Sequence, residues 1–241
     1  MNTDRRDFLY ATAALASTVW STGCFRTPPR ARVVVGFIDI SASVNDYGPY
    51  REAWSKIIER LQPGDRVLLG PISDRTLTNF RPLVDCEIPS YNYWLDVREN
   101  YEEALNKTRG LLAEGIAKAE KMHRAAKTDI MNALWLAGQV FAGDPRKPLI
   151  VLFSDMIEDS DTADFETIRL DESTTTRLID QKKRRAELPA LRGARVYVVG
   201  ASSRTAEKAL EIERFWIRFV REAGGVLAPE NYGPAMLNVN F

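Results

Sequence analysis

The sequence predicts an α/β fold, a doubly wound, mostly parallel central sheet flanked by helices. Three observations predict it. Val33 to Ile38 and Leu149 to Phe153 are continuous apolar runs rich in β-branched residues, as strands buried on both faces of a parallel sheet require. Stretches with apolar residues at helical spacing alternate with such runs, the pattern of a sheet built through helical crossovers. Both apolar runs also end in polar segments headed by an aspartate, Asp39 directly after the first and Asp155 after Ser154 in the second.

The elements follow in order from about Arg32. After the first strand, Pro49 suits a first helical turn, where its missing N–H would have no partner anyway. Tyr50, Trp54, Ile57, Ile58 and Leu61 then recur at helical spacing until Pro63 and Gly64 stop the element. Val67 to Leu69 predicts a second strand. Phe80 to Val84 predicts a third, placed at a sheet edge because Pro82 cannot donate to a ladder. From Trp94 to Ala126 the pattern predicts one long helix, or two with a break, with Tyr101, Leu105, Leu112, Ile116 and Ala119 on one stripe. His123, the single histidine, falls on that stripe and reads as a packing or edge residue, since no Cys or second His accompanies it.

Ile130 to Phe141 predicts the next helix, Leu149 to Phe153 the fourth strand and Val196 to Gly200 the fifth. Between those strands, about 157–191 is a polar insertion, acidic first (Glu158, Asp159, Asp161, Asp164, Glu166) and then basic (Lys182 to Arg185), helical in its second half. The acidic stretch reads as a solvated loop, with a second cation or a basic partner as the alternative. Ala209, Ile212, Trp216, Phe219 and Val220 form one face of a last helix, Thr205 to Ala223, capped by Gly224 and Gly225. Val226 and Leu227 are expected to add a closing edge strand.

In the 241 residues, 33 Lys plus Arg balance 33 Asp plus Glu. With no net field to draw the chain to a polyanion, nucleic-acid binding is not expected. Asp4 to Leu9 resembles a twin-arginine export signal, and the short apolar run to Trp20 falls well below the roughly 20 residues of a membrane span. Residues 1–23 are therefore expected to be an export signal, 24–31 a tether with Pro28 and Pro29, and 32–241 the folded domain. Ser21 to Cys24 resembles a lipoprotein cleavage box, with Ser21 where that pattern usually has Leu. Lipidation of Cys24 would place the chain in the periplasm or cell envelope, anchored to a membrane, while ordinary cleavage or a retained signal is the alternative. Cys86 reads as a buried small hydrophobe, and a Cys24–Cys86 disulfide is the other reading. Two cysteines do not make a structural zinc site.

In an open parallel sheet, ligands gather where loops leave the carboxyl ends of neighbouring strands whose connections diverge. Asp39 and Asp155 both stand at that rim. As neighbours they would repel, and a hard cation would resolve the repulsion. Asp39-x-Ser41-x-Ser43 after the first strand, Thr128 before a later helix and Asp155 after the fourth strand resemble the metal-ion-dependent adhesion site of von Willebrand factor type A domains. The resemblance covers Arg32 to Leu227 and implies a Rossmann-like doubly wound sheet. It implies hydroxyl ligation by Ser41, Ser43 and Thr128, with Asp39 and Asp155 binding directly or through water. Magnesium is the expected ion, manganese or calcium the alternatives. Three neutral hydroxyls and two carboxylates leave a coordination position that an acidic residue of a protein partner can fill. Lys127 and Met156 stand where the family often has glycine. Asp129 reads as a helix N-terminal acid, and Ser202, Ser203 and Arg204 are expected to reach the same rim.

These features predict an exported binding module and not an enzyme. The alternatives are a magnesium-dependent phosphatase-like hydrolase, against which Ser41 stands where such enzymes usually carry a second Asp, and an envelope assembly protein whose site only braces loops.

Overall fold

The computed structural model describes residues 31–74, 76–92 and 94–236. The expected export signal, the tether up to residue 30 and Cys24 lie outside the described residues. Six strands form one sheet: β1 (Arg32–Asp39), β2 (Arg66–Ile72), β3 (Val84–Glu87), β4 (Lys147–Phe153), β5 (Arg195–Val199) and β6 (Tyr232–Gly233), in the spatial order β3-β2-β1-β4-β5-β6. All pairings are parallel except β2 with β3. The helices are α1 (Gly48–Arg60), a single turn α2 (Thr76–Asn79), α3 (Arg98–Glu120), α4 (Ile130–Ala142), α5 (Glu172–Arg184) and α6 (Ala206–Glu222). No helix among the described residues is long and apolar enough to cross a membrane.

Every residue of β1 is buried, which accounts for its unbroken apolar run. Val33, Val35 and Phe37 point to one face, into a core shared with α4, α5 and α6, while Val34 and Ile38 pack against α1 and α3 on the other. Gly36 sits among the second set. A Cβ there would lie 2.6 Å from Leu69 Cδ1, so glycine is what lets β2 and Trp54 close over β1.

Some boundaries differ from expectation for identifiable reasons. β3 runs Val84–Glu87 and not Phe80–Val84, because pairing starts only past Pro82, with the Leu83 N–H donating to the Leu69 carbonyl at 2.7 Å. Cys86 lies on β3, half-buried. α3 is one helix that begins at Arg98, four residues past Trp94, and ends at Glu120, which leaves His123 in an exposed connection and off the buried stripe. The edge strand is β6; Val226 makes a single bridge to Arg195 instead.

At the end of the sheet where β1 begins, a buried ion pair closes the fold. Arg32 Nη2 donates to Asp65 Oδ2 at 2.5 Å and Nε to both carboxylate oxygens, and the backbone N–H groups of Arg32 and Gln62 also donate to Asp65. Both side chains are at least nine-tenths buried. Removing one partner leaves the other charge buried and alone, a loss of about 3–5 kcal/mol. Asp65→Ala is therefore expected to lower stability by that amount, as read by denaturant unfolding.

Candidate metal site

β1 and β4 are adjacent, and their connections diverge: β1 leads through α1 to β2 on one side, while β4 leads through α5 to β5 on the other. The rim between them is the topological switch point of the sheet. The register pairs Ile38 with Phe153, so Asp39 and Ser154 leave the sheet at one level, with Asp155 one residue beyond.

Asp39 is completely buried. Its Oδ1 accepts the Ser41 N–H at 2.8 Å and its Oδ2 the Ser154 hydroxyl at 2.8 Å. Burial, and after it the Asp155 carboxylate, push its pKa up to about 6, against those hydrogen bonds. Asp155, also buried, is raised by burial and by Glu166, opposed by the Ile157 N–H at 2.9 Å and the Ser43 hydroxyl. The two serine hydroxyls, Ser41 Oγ and Ser43 Oγ, are 2.7 Å apart. Ser41, Ser43, Thr128 and Asp155 line one cleft of about 300 Å³, and Asp39 stands behind Ser41. All five residues singled out in the sequence thus converge on one rim.

Thr128 is held there by two other elements. Its N–H and C=O pair with the C=O and N–H of Asp159, both at 2.9 Å, and Asp129 caps α4 by accepting from Asn132. The sequence does not single out the group that fixes this helix end. Glu158, read as part of a solvated loop, is fully buried, and its Oε2 accepts the N–H groups of Ile130 and Met131 at 2.8 and 3.2 Å while Ser160 donates to Oε1. Burial and the nearby Asp129 push its pKa up to about 8. The rest of the stretch lies as expected at the surface or rim: Asp161 pairs with Lys127, and Asp159, Asp164 and Glu166 line the cleft together with Arg204, whose guanidinium is 3.1 Å from Glu166. Ser202 donates its N–H to the Asp155 carbonyl, and Ser203 lies in a neighbouring groove.

Met156 has φ +68°, the left-handed region that glycine adopts without penalty. A side chain there costs about 1–2 kcal/mol. Here it is offset because the Met156 side chain is wholly buried, worth about 2–3 kcal/mol, and its carbonyl accepts from Trp216 Nε1 at 2.9 Å.

The donor set fits a hard divalent cation. Other buried acids of this chain are met by a guanidinium or by helix N–H groups, Asp65 by Arg32, Asp144 by Arg66 and Arg146, and Glu158 by α4. Among the described residues no ion pair reaches Asp39 or Asp155, and their shared rim is lined with hydroxyl oxygens of the kind magnesium accepts. No cluster of three or more His, Cys, Asp or Glu that could hold a metal is found among the described residues, so any cation here depends on the alcohols as well as the acids.

No family model matches the chain, and no curated protein matches it. Among solved structures it is similar to a von Willebrand factor type A protein from Catenulispora acidiphila, at 15% identity over 81% of this chain and 43% of that chain, with a TM-score of 0.41. It is similar also to the open conformation of the pilus adhesin SpaC from Lactobacillus rhamnosus GG, at 12% identity over 83% of this chain and 28% of that one, TM-score 0.49. The human COPII-coat protein Sec24c aligns at 12% identity over 83% and 29%, TM-score 0.43. The chain spans less than half the length of each of these proteins, and at these values the likenesses assign neither family nor role.

The burial of Asp39 beside a second carboxylate has a measurable sign. Asp39 has a folded pKa near 6 against 3.8 for the free group, so the neutral form favours folding. In chelator, that contribution is fully present below pH 3.8 and lost as pH rises through 6. Asn keeps an acceptor for the Ser41 N–H without the charge. At neutral pH in chelator, Asp39→Asn is expected to be more stable than the unsubstituted protein by about 2–3 kcal/mol, with the difference vanishing towards pH 4, as read by chemical denaturation across the pH range.

Proposed function

We propose that this chain is an exported, envelope-tethered binding module of the von Willebrand factor type A kind that captures an acidic residue of a protein partner at a divalent-metal site. The observation that carries the reading is the buried pair Asp39 and Asp155 at the switch point, which no ion pair among the described residues reaches and which shares its rim with Ser41, Ser43 and Thr128.

In this reading Ser41, Ser43 and Thr128 hold the ion through their hydroxyls, and Asp39 and Asp155 supply two negative charges directly or through water. A bound magnesium or manganese ion would supply positive charge next to the two carboxylates and an open position for an incoming carboxylate. The residues around it act by orientation. The Ser41 N–H and the Ser154 hydroxyl fix both oxygens of Asp39, so little reorganisation accompanies loading. The Thr128–Asp159 pairing and the buried Glu158 hold the α4 end in place. Two carboxylates only balance a doubly charged ion, so what takes a partner's Asp or Glu is the open coordination position, with Asp159, Asp164 and Glu166 on the same lining setting the direction from which it can approach. The exposed Arg204 beside the cleft adds a second point of attraction for an acidic surface.

Magnesium or manganese is expected to raise the melting temperature of the protein, and neither should affect Asp39→Ala or Asp155→Ala. A pull-down from envelope extract is expected to recover a partner in magnesium, lose it in chelator and recover none with Asp39→Ala. Capture that ignores chelator, or survives Asp39→Ala, contradicts the proposal.

A further inference from the structure

We propose that the turn between β3 and α3 is a membrane-contacting tip, whose Trp94, Leu95 and Val97 enter the interface of a lipid bilayer. Trp94 and Leu95, at 87% and 81% exposure, are the two most exposed large apolar residues among those described, and Val97 is 58% exposed. Loops more often turn such groups inward or replace them with polar ones, and a Trp beside aliphatic residues is the composition that settles at the level of lipid headgroups.

The described residues of the tip hold one another without the contact. The Asn92 side chain accepts the Trp94 N–H at 3.0 Å, its carbonyl accepts those of Leu95 and Asp96, and Asp96 accepts the Asn92 N–H at 2.6 Å. Tyr91 packs on Tyr101 of α3 with ring centroids 5.1 Å apart. Insertion of a turn already held in shape forfeits little conformational freedom.

The topology also makes the turn protrude. β3 is antiparallel and its last residue, Glu87, pairs with the first of β2, Arg66, so the chain leaves the sheet at the pole opposite the metal cleft. α3 then climbs antiparallel to α1, as two contacts show: Trp54 Nε1 donates to the Leu112 carbonyl at 2.7 Å, and Arg51 pairs with Glu120. From the Trp54–Leu112 level, α1 continues six residues to Arg60, while α3 extends fourteen residues back to Arg98. The eight-residue excess, at the helical rise, carries the turn about 12 Å past the end of α1.

What lies at that pole names the occupant. Ala31, where the chain enters the domain, is there too, its carbonyl accepting from Lys147 at the start of β4. Cys24, the expected lipidation site, is seven residues earlier, a span of at most about 24 Å. A membrane anchor at that position brings this pole within reach of the bilayer and leaves the metal cleft facing away from it. A single acyl chain holds a protein only marginally, and an apolar tip is the kind of second contact that stable attachment needs. Val226, 55% exposed, adds apolar surface at the same pole beside Arg195. The charges there are mixed, Asp96, Glu99 and Glu103 against Arg98, Lys147 and Arg195, with no excess of one sign to bind anionic headgroups, so the contact is apolar and insensitive to salt.

The test holds the full chain at a vesicle surface by an N-terminal histidine tag on nickel-chelating lipid, in vesicles of phosphatidylcholine and phosphatidylglycerol. Both cysteines are replaced (Cys24→Ser, Cys86→Ala), and a polarity-sensitive fluorophore is placed on Leu95→Cys or, at the opposite pole, on Glu207→Cys. The expected result is a blue shift and quenching by lipid-borne quencher at position 95, unchanged in high salt and lost with Trp94→Ser, and neither change at 207. A label at 95 that stays in water, or one that responds no differently from the label at 207, overturns the proposal. So does a shift at 95 that envelope protein produces without vesicles. Because metal plays no part in these readings, they stand or fall apart from the cleft.

Discussion

The upper rim of this sheet is built around two buried carboxylates that no ion pair among the described residues reaches. Adjacent parallel strands deliver Asp39 and Asp155 to one edge, and the register between Ile38 and Phe153 that does so is set by apolar runs whose displacement by one residue would turn buried side chains towards the wrong layer. The core thus fixes the repulsion. Among the described residues no ion pair relieves it, so burial first and the Asp155 carboxylate second make Asp39 hold its proton more strongly than a free aspartate, and positive charge from outside has a place to go.

The surroundings of the pair distribute the cost of that arrangement. Ser154 faces Asp39 from the neighbouring strand and also accepts the Met156 N–H at 3.0 Å, so a single hydroxyl links the acid to the left-handed turn that re-aims Asp155. That turn is tied down by Trp216, at the heart of an aromatic cluster with Phe165, Phe215 and Phe219. Glu158 does the equivalent for Thr128, its carboxyl oxygen meeting two buried N–H groups at the start of α4 that have no partner within the helix. The site is therefore rigid for reasons that lie in the core and in the insertion, several residues away from the oxygens that line the cleft.

Much of this is legible in the sequence because it rests on local pattern. The double-buried strands, the amphipathic α1, α4 and α6 and the five rim residues all follow from runs, periods and strand ends that a reader can count. What escapes is non-local. Glu158 looks like one more acid in a polar stretch, and only the fold reveals that it caps a helix beginning 28 residues earlier. β6 has too little pattern of its own to outbid Val226 and Leu227, since its two residues matter only as partners of Val198 and Val199. The short β3 is displaced because Pro82 blocks pairing within the predicted run and does not merely mark its edge. Ser154 was within reach: period two along β4, with Asp39 at the end of the next strand, puts its hydroxyl against that carboxylate.

The most direct measurement is the anomalous scattering of a crystal of this protein grown in manganese. One peak is expected, bounded by Asp39, Ser41, Ser43, Thr128 and Asp155, with the hydroxyl oxygens in its first coordination sphere. A rim without a peak, or a peak confined to the acidic lining at Asp159 and Asp164, would contradict it.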